Sequence, residues 1–85
     1  MKPDKIFEAL VAISEALGIK IIQEKGNFKG GYCLLEQKKM IVINKLKPVE
    51  QRVRALAQAY SRWDISELYM KPAVREIIEA EAKEQ

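Results

Sequence analysis

The chain predicts an α+β domain: an N-terminal helix, a three-stranded antiparallel β-meander and two C-terminal helices. Three observations carry this. Apolar residues recur at helical spacing near both ends. Between them, three short runs rich in Ile, Leu and Val are separated by Gly- and Lys-rich turns. Pro48 and Pro72 each precede a second helical pattern, where a residue without an N–H suits a first turn. Eighty-five residues suffice for one domain with a single core.

The first helix is expected over residues 4–17, with Ile6, Phe7, Leu10, Val11, Ile13, Ser14 and Leu17 along one stripe. Gly18 is its natural stop, since glycine adopts a left-handed backbone at least cost. A strand over 19–23 follows, favoured by β-branched Ile19, Ile21 and Ile22. Residues 24–31 are expected to form a turn, since Gly26-Asn27 and Gly30-Gly31 both tolerate positive φ. Strands over 32–36 and 40–44 flank Gln37-Lys38-Lys39, which reverses the chain and completes the meander. A helix over 48–63 turns Val49, Val53, Leu56, Ala57, Tyr60 and Trp63 inward. Asp64, three residues before Glu67, has the spacing of a capping box. The last helix, over 72–82, is expected to point Ala73, Val74, Ile77, Ile78 and Ala80 inward, and Glu76, Glu79, Glu81 and Glu84 to solvent.

Composition narrows the chemistry. The chain has no histidine, and so lacks the commonest general base and metal ligand. Its single cysteine, Cys33, excludes an internal disulfide, and a cytoplasmic setting is the natural expectation. No run approaches the roughly 20 apolar residues of a membrane span, and acidic residues interrupt the N-terminal apolar run, so neither a membrane segment nor a secretory signal is expected. Abundant Lys, Glu and Ile without threonine is a thermophile-like bias.

The formal charge of +3 is uneven. Residues 1–19 carry −1, residues 20–54 carry +6 and residues 55–85 carry −2, counting Lys and Arg against Asp and Glu. Lys25, Lys29, Lys38 and Lys39 fall in the two turns and would be the phosphate contacts of a nucleic-acid-binding module. The bland reading is that these lysines guard strand edges against aggregation. No helix-turn-helix spacing, paired aromatic motif or zinc-finger cysteines accompany them. Cys33 has no histidine to activate it and lies inside a strand, which favours a packing role. Tyr60 and Trp63 read as core aromatics with polar tips.

One segment resembles a known family. The Gly30-Gly31 pair before a strand, a hairpin into Ile41-Val42-Ile43-Asn44 and a helix opening Pro48-Val49-Glu50-Gln51-Arg52 are similar to the IrrE/ImmA-like metallopeptidase domain. That family carries H-E-x-x-H directly after a Leu-Ala pair, so that two imidazoles four residues apart meet one zinc beside a glutamate base. Here Leu56-Ala57 match the pair, while Gln58 and Arg62 occupy the histidine positions and Ala59 the glutamate position. Gln is a poor zinc ligand, Arg is a permanent cation and Ala accepts no proton. The resemblance therefore implies a zincin-like fold with a degenerate site: no metal, no cofactor and no catalysis. The expected function is a non-catalytic domain engaging a protein partner or a second copy as a homodimer. Nucleic-acid binding is the alternative, and an enzyme built on Cys33 or on carboxylates a distant third.

Overall fold

Ile41 and Ile43 are fully enclosed, and their strand holds the middle of the sheet. The computed structural model describes residues 2–26, 32–35 and 39–83, with 32–35 described as backbone. Its elements, in chain order, are α1 (Pro3–Leu17), β1 (Lys20–Glu24), β2 (Tyr32–Leu35), β3 (Met40–Asn44), α2 (Val49–Tyr60) and α3 (Pro72–Lys83). The result is a small mixed α+β domain.

The expected antiparallel meander is not what forms. The strand order is β1-β3-β2, and β1 runs parallel to β3, with Lys20 opposite Met40 and Glu24 opposite Asn44. Only the β2–β3 pair is an antiparallel hairpin, with Leu35 opposite Met40 and Tyr32 opposite Ile43. Burial explains the arrangement. β3 buries Ile41, Ile43 and Asn44 and has a neighbour on each side at the centre, whereas β1 carries Lys20, Gln23 and Glu24 and suits an edge. The seven residues between β1 and β2 exceed the two to five of a usual hairpin loop, so adjacency was never enforced.

Asn44 makes this topology specific. It is 2% exposed, and its Nδ2 donates to the Gly26 carbonyl at 2.7 Å while its Oδ1 accepts from the Leu46 N–H at 3.0 Å. The Lys45 N–H donates to the Glu24 carbonyl at 3.0 Å, so the ends of β1 and β3 are tied together.

The helices cover one face. α1 and α2 pack against the sheet and each other, and α3 packs mainly on α2. Leu10 and Ile13 of α1, Val53, Leu56 and Tyr60 of α2 and Val74 and Ile78 of α3 join Ile41 and Ile43 in one core. α1 stops where expected. Gly18 takes φ 69°, its N–H reaches the Glu15 carbonyl, and the Ile19 N–H reaches the Ser14 carbonyl at 2.9 Å. Among the described residues, no helix covers the opposite face of the sheet. Ile22, Met40 and Val42 are half-buried and belong neither to the core nor to the residues packed against it.

The inward face of α3 differs from expectation. Val74, Ile78 and Glu81 are buried, while Ala73 and Ala80 are exposed. Glu81 lies three residues past Ile78 and seven past Val74, and so shares their stripe.

Candidate functional site

The three positions expected from the sequence to form a degenerate metal site fall on α2 and just past its end, and they diverge. Gln58 is half-buried and faces α3, Ala59 is fully enclosed in the core, and Arg62 is exposed two residues past the end of α2. The Arg62 N–H donates to the carbonyl three residues back, that of Ala59, at 3.2 Å, a 3₁₀-type turn tighter than the α-helical one that ends the helix before Arg62.

Gln58 has a defined partner. Its Nε2 donates to Glu81 Oε2 at 3.0 Å, and Arg54 Nε, one turn earlier on α2, reaches Glu81 Oε1 at 3.0 Å. The carboxylate side chain is 9% exposed against 62% for Arg54, so a buried anion is neutralised from the solvent side and satisfied on both oxygens. Residues four apart on α2 thus converge on one acid of α3. Of the two positions read as histidine replacements only Gln58 takes part; the guanidinium on Glu81 is that of Arg54, one turn before it.

A second buried polar group joins α1 to α2. The Tyr60 ring is fully enclosed, and its hydroxyl donates to the Leu10 carbonyl at 2.6 Å across fifty residues of sequence. Burial pushes the phenol well above its ordinary value, and the Ser14 hydroxyl beside it works the other way. Ser14 is itself buried, its Oγ donating to the Val11 carbonyl at 2.6 Å. At the start of α2, the Arg52 guanidinium stands 5.0 Å from the centre of the Phe7 ring and its Nε donates to the Lys47 carbonyl.

The segment between α2 and α3 is held by side chains. Asp64 Oδ1 accepts from the Ser66 N–H at 3.0 Å and from its hydroxyl at 2.7 Å, and the backbone bond first, then the hydroxyl, keeps the Asp64 carboxyl below its usual range. The capping-box spacing therefore marks a local turn. The Arg75 guanidinium donates to the Ile65 and Leu68 carbonyls from α3. A shallow apolar groove of about 280 Å³ runs between this segment and α1, over Ala9, Ala12 and Ala16, with Lys71 its one charged lining residue. Tyr69 on its rim is 95% exposed.

The two described lysines of the expected basic patch do not gather. Lys25 follows the end of β1 and Lys39 precedes the start of β3. Because the two strands are parallel and in register, these lysines stand at opposite ends of the sheet, roughly 20 Å apart at about 3.3 Å per residue. Lys39 takes φ 48°, a left-handed turn position. Lys29 and Lys38 lie outside the described residues. Cys33 lies in β2 opposite Val42.

Among the described residues, no three His, Cys, Asp or Glu side chains are grouped as metal ligands, and no helix is long and apolar enough to cross a membrane. Of the polar contacts above, Glu81 was missed in the sequence, although its place on the Val74–Ile78 stripe was a usable signal. The Arg75 staple and the Asn44 tie left no local signal. No protein-family model, curated protein or solved structure matches the chain.

Proposed function

We propose that this chain is a non-catalytic domain that acts by contact with protein, as a homodimer, and that α2 descends from the metal-binding helix of a small zinc peptidase. The observation that carries the contact reading is the side of the sheet away from the helices. Among the described residues, Ile22, Met40 and Val42 sit there half-buried with no helix over them, next to a strand edge that no described strand pairs. Three facts support the lost activity. Gln58 is bonded to Glu81, Ala59 stands where a base would have no room, and Arg62 is a fixed cation past the helix end. The nucleic-acid alternative gains no support from Lys25 and Lys39, whose separation offers no continuous phosphate track.

Zinc analysis and sedimentation equilibrium of the purified chain test the two parts. Protein free of stoichiometric zinc, and a mass that rises from one to two chains with concentration, are expected. Bound zinc at one per chain would overturn the lost-activity reading, and a single-chain mass at every concentration would overturn the homodimer.

A further inference from the structure

We infer that the homodimer forms by antiparallel pairing of β1 with β1 of a second copy, about a two-fold axis at Ile22, giving one continuous six-stranded sheet. This rests on the homodimer reading above and assigns it a surface. The argument begins with the directions of backbone groups. The Lys20 N–H donates to the Lys39 carbonyl, and the Glu24 carbonyl accepts from the Lys45 N–H. In a parallel ladder this phase turns the backbone groups of Lys20, Ile22 and Glu24 toward β3, and those of Ile21 and Gln23 away from it. No described strand pairs with that outer edge. Four strong hydrogen-bonding groups therefore lie along it, two N–H and two C=O.

The strand reads Lys20-Ile21-Ile22-Gln23-Glu24, with opposite charges at its ends and an apolar centre. Turned antiparallel on itself about Ile22, it sets Ile21 opposite Gln23 of the second copy, and these two pairs exchange all four outward-facing bonds. Ile22 then meets Ile22, and each Lys20 meets the Glu24 of the other copy. All three of those contacts fall at non-hydrogen-bonded positions, where side chains approach most closely. One interface of this kind satisfies the edge and closes after two copies, as a two-fold contact must. Moving the axis to Ile21 or Gln23 would instead set Ile22 opposite Lys20 or Glu24. The axis at Ile21 would also set Gln23 against Ile19, whose N–H is already held by the Ser14 carbonyl. Charge, apolar match and backbone phase select the same register.

Charge swapping tests this register. Lys20→Glu and Glu24→Lys each place like charges at both ends of the pair. Each variant alone is expected to lower the association constant by roughly tenfold or more in sedimentation. Mixed one to one, they recover a dimer, since every acidic end then meets a basic one. Gln23→Pro removes an outward N–H that the fold of a single copy does not use, and is expected to give folded monomer by circular dichroism and sedimentation. A wild-type dimer that ignores all three substitutions would overturn this surface while leaving the homodimer standing. A chain monomeric throughout, with the mixture of variants monomeric too, would overturn both.

Discussion

Tyr60 shows how one side chain can tie an α+β fold together from within. Its ring fills the junction of α1 and α2, and its hydroxyl has a single backbone partner, the Leu10 carbonyl. Burial raises its folded value above the unfolded one of about 10, so the folded chain holds the phenol proton after the unfolded chain has released it. The stabilisation is fully present below pH about 10 and is lost as pH climbs beyond it, by about 1.4 kcal/mol per pH unit. Urea unfolding followed from pH 8 to 11.5 should show that loss. In Tyr60→Phe it should flatten, while stability at pH 8 falls by about 1 kcal/mol for the missing hydrogen bond. An unchanged alkaline slope in the Phe variant would place the titration elsewhere.

Elements in this chain are joined by a few polar contacts laid over apolar stripes. The α2–α3 contact combines Leu56, Val74 and Ile78 with the Arg54–Glu81–Gln58 cluster. Removing the acid strands a half-buried amide and one bond of the guanidinium, so Glu81→Ala should cost about 1–3 kcal/mol in chemical denaturation. Gln58→Ala should cost about 1 kcal/mol, and Arg54→Ala no more than that, because the Arg54 side chain is largely in water. The three effects should fail to add, since they share one carboxylate. A Glu81→Ala variant as stable as wild type would mean that the cluster is incidental to packing. Reading Glu81 as a solvent residue followed from weighing its charge over its position. Its spacing from Val74 and Ile78 already placed it on the buried stripe.

At the scale of the whole molecule, the parallel β1–β3 pairing is the decisive feature, and Asn44 is the residue that secures it. Both polar ends of its side chain are used, one on Gly26 and one on Leu46. Asn44→Ala should destabilise by about 2–3 kcal/mol, for two hydrogen bonds and the buried groups left behind. Asn44→Asp keeps the acceptor for Leu46 but sets a second oxygen against the Gly26 carbonyl, and should be no better. If either variant matched wild type in thermal unfolding, the tie would not be what holds the crossing. The topology also sets the surface of the molecule. A meander would have put β2 in the middle and left β3 at an edge. The observed order buries β3 and moves β2 outward, while β1 keeps an edge, where its outer backbone groups and end charges define the proposed interface.

The sequence by itself determined the kinds of element and their order, because helical and alternating periodicities, Gly18, Pro48 and Pro72 are local signals that act within a few residues. It also determined that no imidazole chemistry operates, since histidine is absent from the chain. Strand order and direction were decided only in three dimensions. An alternating apolar pattern says which residues want burial but not which neighbour supplies it, and the connection between β1 and β2 was long enough for either arrangement. The fate of Gln58 was decided there too, because its carboxylate partner lies 23 residues away on another helix, beyond any local spacing.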